Sequence, residues 1–398
     1  MLTALTKTGK RISLGYAYKK DTLIYMRNTE EFLCPICKEP VILKLGDKRI
    51  YHFAHMRGGT CLEFYEPESQ LHMEGKIQLY QWLIRQKIMA VLEYYDKEIQ
   101  QRPDIMFEYG GHKYALEYQC SVIPEEIFIK RTNTYLQNGY IPLWIIANTH
   151  IQQNNSSSIS LSSFHYLFLR PSLNGKYFIP TYCSEKQQFY LIQSLIPIST
   201  KNTIFQSNIL PLENSRLDCI LNPLQESHLN FKYWKLKVEN YILNWSFYSG
   251  KRKNPFLQEI YLHHLNPFLL PSEIGLPVAH AIYIQTPPFI WQTYLFIDVF
   301  MGKHQNDTFT VTEISMKIKK RLYRKDLIMR SLPQLKDVSP MIPVMEYFRL
   351  LELEGIVKKI SEETYQIQRK IVVPQSNREN EEAKKIFYQK SRPFLTNI

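Results

Sequence analysis

The chain has 398 residues, room for two to four domains of ordinary size and a substantial core. Its 44% apolar, 22% charged and 13% aromatic composition is that of a globular chain and excludes general disorder, collagen-like repeats and an all-coiled-coil architecture. Lys and Arg outnumber Asp and Glu by 49 to 37, a net charge of +12 that favours a polyanionic partner, either nucleic acid or an anionic membrane surface.

No apolar run reaches the ~18–20 residues that cross a bilayer; the richest, PPFIWQTYLFIDVFMG, is broken by Gln292 and Asp298. The first twenty residues carry Lys7, Lys10, Arg11, Lys19 and Lys20 without a continuous apolar stretch, unlike a secretory signal. The expectation is a cytoplasmic protein with no membrane span.

Up to about residue 60, the short runs RISLGYAY, TLIYM, PVILKL and RIYHFAH, parted by Gly, Asp and Asn, predict small antiparallel strands in a module over 1–65. Three of the six cysteines crowd into this module. Cys34 and Cys37 form a CxxC pair, His55 follows within HFAH, and Cys61 lies just beyond. Two thiolates at this spacing make half a tetrahedral site, and a distant His and Cys complete a Cys₃His set typical of structural Zn²⁺. His52 competes with His55 as the nitrogen ligand. The alternatives to zinc are reduced cysteines packed as small hydrophobes or a redox pair.

From Pro67 the period becomes helical, with Leu71, Ile77, Tyr80, Leu83, Ile84 and Ile88 on one face. Then come IMAVLEYY, RPDIMFEY and HKYALEYQ, the last two joined by Gly110-Gly111, a two-residue hairpin signal. Pro124 with Glu125 and Glu126 opens a helix, Gly139 stops it, and IPLWIIA is a buried strand. The predicted order over 66–150 is αβββαβ.

A turn at Gly110-Gly111 sets Asp104 opposite Glu117, two carboxylates with Cβ atoms ~5 Å apart, which repel unless protonated or neutralised. A divalent cation is the economical answer. Period-two alternation adds Gln119 to the polar edge and sends Ile105, Phe107, Leu116 and Tyr118 to the core side. Carboxylate oxygens suit Mg²⁺ or Mn²⁺, which stabilise phosphoryl charge and activate water. On the preceding helix Glu68, His72 and Lys76 recur every four residues; on the following one Ile127, Lys130, Arg131 and Thr134 share helical spacing, so that Lys130 or Arg131 can reach a phosphate. An ordinary solvated face is the competing reading for His72, Lys76, Lys130 and Arg131.

RPD followed after twelve residues by ExQ, on a hairpin inside αβββαβ, resembles the PD-(D/E)xK nuclease core, a restriction-endonuclease-like fold, with Gln119 where that superfamily usually has Lys. The series CPIC, HFAH, ESQLHMEGK, QRPDI, EYQCS and PLWII follows the order of the competence protein CoiA family. This resemblance implies a nuclease-like domain supporting recombination of imported DNA during natural transformation. It places metal on Asp104 and Glu117, an outer carboxylate at Glu68, and water or phosphate beside Gln119. It also implies a metal-dependent deoxyribonuclease, with an inactive DNA-binding recombination mediator or adaptor as the second reading. Single-stranded or branched DNA and recombination or competence proteins are the implied partners.

Residues 151–300 read as a mixed region: QQNNSSSISLSS as a loop, then aromatic strand-like runs and, from Asn230, helices. A last module, 301–398, carries nineteen basic against twelve acidic residues. Thr310 to Glu313 fits a capping box, and the helix behind it carries Lys317, Lys319, Lys320, Arg321, Arg324 and Lys325 without an acid. A second helix near Pro343 and the strands GIVKKI and TYQIQRKIVV complete an order that resembles a winged helix. Phosphate contact, setting affinity without choosing sequence, and a solvated structural face are the two readings of this run. The predicted class is therefore mixed α/β: a zinc-binding β module, an αβββαβ core and a mainly helical region ending in a winged-helix-like module.

Overall fold

The computed structural model describes residues 1–47, 49–56, 61, 68–155, 157–224, 229–248 and 254–395. The chain divides into two compact units. The first comprises Met1–Ile151, Leu167–Ile192 and Ser207–Leu224, and the second Gln152–Tyr166, Gln193–Gln206 and Gln225–Ile398.

The first unit opens with β1 (Thr3–Thr6), β2 (Arg11–Ser13), α1 (Lys20–Thr29), β3 (Phe32–Leu33), β4 (Pro40–Lys44) and β5 (His52–His55). The strands form an antiparallel sheet in the order β2-β1-β3-β4-β5. TLIYM lies in α1 instead of a strand. So short an apolar run does not separate the two periods. What decides is Leu23 and Met26, three residues apart, which turn one side of a single helical turn toward the core.

The αβββαβ order follows as predicted: α2 (Gln70–Arg85), β6 (Ala90–Leu92), β7 (Ile105–Tyr109), β8 (His112–Gln119), α3 (Glu125–Gln137) and β9 (Tyr140–Ala147). Gly110 and Gly111 take φ of 58° and 77°, the mirror-image turn that glycines accommodate without a Cβ penalty. They set the expected register, Tyr109 opposite His112 and Glu108 opposite Lys113. β8 pairs parallel with β9, a geometry that needs a crossover, and α3 supplies it.

Tyr118 and Glu117 point to opposite faces of β8 because side chains alternate along a strand. Tyr118 meets α2 at Gly75, whereas Glu117 meets Arg131 of α3. The two helices therefore cover opposite faces of the sheet. α3 is seated by Phe128, whose ring stacks on Trp144 at 4.0 Å between centroids. On the α2 side Leu79, Trp82, Leu83, Phe107, Tyr118 and Leu143 make the core.

In the second unit, Gln152–Asn155 and Ser158–Ser160 pair antiparallel within the segment expected to be a loop. Serines disfavour that choice locally, but Ile159 is fully buried and Ser158–Ser160 pairs with 202–204, so tertiary pairing overrides composition. Helices Phe231–Tyr248, Pro255–Leu262 and Pro288–Leu295 follow. Thr308–Thr310 joins the hairpin Val357–Ser361/Thr364–Ile367 in a three-stranded sheet, with helices Val311–Tyr323 and Met341–Leu353 between them in sequence. The capping box forms: Glu313 N–H donates to Thr310 Oγ1 at 3.1 Å, and Thr310 N–H to Glu313 Oε2 at 2.8 Å. A last helix spans Asn377–Leu395.

A Cβ at Gly75 would stand 2.1 Å from Tyr118 Cε1, so this glycine sets how closely α2 approaches the sheet. Alanine improves helix propensity by ~1 kcal/mol, and overpacking a buried ring costs ~1–3 kcal/mol or more. Gly75→Ala should therefore lower the thermal midpoint; an unchanged or higher midpoint would show that Tyr118 yields freely.

Candidate functional site

Two clusters of chemistry-bearing residues lie in the first unit. The first is the cysteine set. Between β3 and β4 the chain makes a tight knuckle: Cys34 N–H donates to Glu39 O, Lys38 N–H donates to Cys34 O at 3.1 Å, and Lys38 takes φ of 62°. This turn brings Cys37 under β5, where its Sγ lies 3.3 Å from His55 Nε2. The ligand atoms of Cys34, Cys37, His55 and Cys61 all lie within 4.8 Å of one another, so the set can hold a metal ion. His52 lies outside it, its Nδ1 donating to Ile50 O at 2.8 Å. Burial pushes the Cys34 and Cys37 thiols up, a cost that a bound cation would remove by favouring the thiolates.

The second cluster surrounds the start of β7. Ser69 caps α2 by accepting the His72 N–H at 3.2 Å, and the helix then presents His72 and Lys76 on one face. Lys76 is wholly buried, yet its Nζ stands 2.7 Å from Glu68, 2.7 Å from Glu93 and 3.3 Å from Asp104. Arg102 adds a second cation, 3.7 Å from Glu93 and 3.8 Å from Glu68. Asp104 Oδ2 accepts from the Tyr118 N–H at 2.9 Å and lies 3.1 Å from His72 Nε2. Glu93 Oε2 accepts from the Leu2 N–H at 2.8 Å and from the N–H and hydroxyl of Thr3 at 3.1 Å each.

The ladder starts with Ile105 opposite Leu116, so Asp104 stands one residue before it, near enough for its charge to act on Glu117. Each of these acids has its own counter-charge. Glu117 accepts from Arg131 and, at 2.5 Å, from the Tyr135 hydroxyl. Arg131 in turn lies over the Trp144 ring, 5.4 Å from its centroid. The Gln119 amide donates to Ser121 O at 2.9 Å and to Ser121 Oγ at 3.2 Å.

Burial would raise every carboxyl here, and the neighbours decide otherwise case by case. His72 and Lys76 hold Asp104 well below the usual range against that burial, and Lys76 does the same for Glu68. Glu93, also buried, is held at about 2, chiefly by Lys76. For Glu117 burial wins: with the Asp104 charge adding to it and Arg131 opposing, its pKa is pushed up to about 7.

Glu93, Arg102 and Tyr135 are absent from the sequence reading of the site. A lone acid inside the apolar run IMAVLEYY was the available signal for Glu93; Tyr135 lies four residues after Arg131 on the same face of α3.

In the second unit, the basic run of Val311–Tyr323 and its C-terminal end divides. Lys317, Lys319, Lys320 and Lys325 are exposed. Arg321 turns inward, 2.5 Å from Glu259, 2.8 Å from Asp298 and 3.1 Å from Asp326, over the Tyr294 ring. Arg324, half exposed, is 3.1 Å from Asp326. Lys130, on α3 of the first unit, is exposed.

Family models match most of the chain. Residues 15–64 match the model of the competence protein CoiA N-terminal domain, 68–225 that of its nuclease-like domain and 234–380 that of its C-terminal domain. The chain is 30% identical over 337 residues to the competence protein CoiA of Bacillus subtilis (strain 168), covering 84% of this chain and 89% of the relative. No solved structure matches. Among the described residues no helix is long and apolar enough to cross a membrane.

Because Glu93 titrates at about 2 in the folded protein against an ordinary 4.5, its stabilisation is complete above pH 4.5 and is lost as pH falls from there toward 2. Glu93→Gln leaves the buried Lys76 one carboxylate short and should cost ~3–5 kcal/mol at neutral pH. Urea unfolding should show that loss shrinking in acid; a loss of the same size at pH 7 and pH 3 would contradict the assignment.

Proposed function

The chain belongs to the competence protein CoiA family, and from that membership and the geometry around Asp104 we propose that it hydrolyses phosphodiesters in imported DNA with a divalent metal, supporting recombination during natural transformation. What supports this reading is Asp104, one residue before the β7/β8 ladder, whose charge acts on Glu117 and which shares Lys76 with Glu68, inside a matched nuclease-like domain. Mg²⁺ or Mn²⁺ held by one or two carboxylates keeps its remaining positions for water and phosphate, which is what two acids without a third preassembled ligand suit. Such an ion supplies Lewis acidity at the phosphoryl oxygen and a more acidic water. Asp104 is kept ionised for that task by His72 and Lys76. Lys130, and separately Lys317, Lys319, Lys320 and Lys325, offer exposed charge to phosphates, whereas Arg131 and Arg321 are engaged internally. Single-stranded or branched DNA in the cytoplasm is the substrate this reading favours, and recombination and competence proteins are its partners.

A second reading, a catalytically inactive DNA-binding mediator or adaptor, draws on Gln119, whose amide brings no charge and is turned to Ser121. Labelled single-stranded, duplex and flapped DNA, incubated with Mg²⁺, Mn²⁺ or EDTA, separates the two. Metal-dependent cleavage that disappears in Asp104→Asn and Glu117→Gln, with DNA binding retained, is the expected result. Since Glu117 is protonated below about pH 7 and a proton competes with the metal, cleavage should rise as pH passes upward through that value. Binding without cleavage by the wild type in every metal would leave the mediator.

For the cysteine cluster we propose structural Zn²⁺, since four protein ligands close the tetrahedron. Purified protein should carry about one zinc per chain, and Cys37→Ser should lose both the metal and several degrees of thermal stability. Metal analysis that finds equal zinc in the variant would remove the assignment.

A further inference from the structure

We propose that a cleft in the second unit, between the helices Phe231–Tyr248 and Asn377–Leu395, binds single-stranded DNA. The inference rests on the reading above that the chain handles DNA, and adds a site for the strand that no charge run in the sequence marks. The cleft has a volume of about 890 Å³ and takes cations from both walls: Lys232 and Lys235 from one helix, Lys385 and Arg392 from the other. Along the second helix Lys385, Gln389 and Arg392 fall at i, i+4 and i+7, so they share one face.

The two acids of the cleft do not cancel this charge, because each already has a cation on its own helix. Glu382 is 3.1 Å from Arg378, and Glu381 is 3.9 Å from Lys384. On the opposite wall Lys235 is 3.7 Å from Glu239 and lies over the Tyr388 ring, 5.1 Å from its centroid. Lys232 and Lys385 are exposed and make no ion pair among the described residues. A concave surface bearing like charges focuses their field and raises the local concentration of a polyanion.

The size and lining of the cleft choose the form of the polyanion. Its volume is that of a site for a small molecule, which a few nucleotides of one strand can enter and the rigid cylinder of a duplex cannot. Half-buried Phe231 and the largely buried Tyr388, which lies under Lys235, are among the lining residues, and Asn230 and Gln389 add amide groups. A basic groove that tracks the backbone, with aromatic surface and few sequence-reading groups, is the pattern of sequence-tolerant single-strand binding. The sequence conceals the site because its cations come from segments about 150 residues apart, each mixed with acids.

The test is fluorescence anisotropy of the full chain, in EDTA, with a labelled oligothymidylate of about twenty nucleotides and a duplex of equal length. Reversal of the two exposed lysines, Lys232→Glu with Lys385→Glu, should weaken single-strand binding about tenfold or more. It should also flatten the salt dependence by about 1.4, or ~0.7 for each phosphate of a single strand that a lysine no longer neutralises. Duplex binding should change less than threefold, and Lys232→Arg with Lys385→Arg should restore the wild-type value. Unchanged single-strand affinity and slope, beside a clear loss in Lys319→Glu with Lys320→Glu, would overturn the cleft while leaving the DNA reading intact. A wild type that binds neither probe at low salt would overturn both. If polyglutamate binds the wild type more tightly than oligothymidylate and loses that affinity in the double variant, the cleft belongs to an acidic protein segment, and the nucleic-acid assignment fails.

Discussion

A single buried ammonium organises the first unit. Lys76 has no access to water, and a charge in that position is tolerated only when it is paired and hydrogen-bonded. Its three carboxylates come from three places: Glu68 ahead of α2, Glu93 behind β6 and Asp104 ahead of β7. Glu93 then reaches further, taking N–H groups of Leu2 and Thr3, so β1 is bound into the same network. A pair of this kind contributes little net stability against an apolar alternative, but it permits one arrangement of four chain segments and penalises the rest. The helix can approach closely enough to make these contacts because residue 75 is Gly, with the Tyr118 ring where a Cβ would be.

The same network explains why the two acids at the open end of the hairpin differ in character. Asp104 faces Lys76 and His72 on the α2 side and is held as a carboxylate. Glu117 projects to the α3 side, where burial and the negative charge of Asp104 outweigh Arg131, and it holds its proton to about pH 7. Two acids whose environments drive their protonation apart can take different roles at one pH, one as a permanent anion and the other as a group that exchanges a proton or a cation. Asp104 is thus balanced by Lys76 and His72 on the α2 side, and Glu117 by its own proton below about pH 7 and by Arg131 above it.

Much of this was legible in the sequence where the deciding physics is local. Gly110-Gly111 fixes a turn and, through it, the register from Tyr109 opposite His112 to Ile105 opposite Leu116; the Cys34, Cys37 and Cys61 spacing foretells the cluster, and Thr310 with Glu313 foretells a helix start. What was not legible depends on contacts between distant segments. His55 and His52 are equivalent in the sequence, and only the pairing of β5 with β4 puts His55 beside Cys37. The counter-charges of Asp104 and Glu117 lie on two different helices, so the neutralisation by Lys76 and Arg131 could be suspected from helical spacing without being fixed by it. TLIYM and the serine-rich stretch near residue 155 fail for the same reason, since a few apolar residues adopt whichever period the surrounding surface rewards.

Charge shows how far composition can be taken. The run from Lys317 to Lys325 looks uniform along the chain, but a helix distributes successive residues around its axis, and here the axis lies against the core through Ile314 and Ile318. Arg321 falls three residues after Ile318, on that buried side, and is satisfied by Glu259, Asp298 and Asp326. Lys317, Lys319 and Lys320 fall on the outer side and carry their charge to solvent. Of the six cations, then, those that face water set any field a polyanion would feel, and the one that faces the core is a packing element whose removal would strand Asp298 and leave Glu259 and Asp326 to Arg324. Net charge bounds the class of partner; the helical phase of each residue decides which of its charges take part.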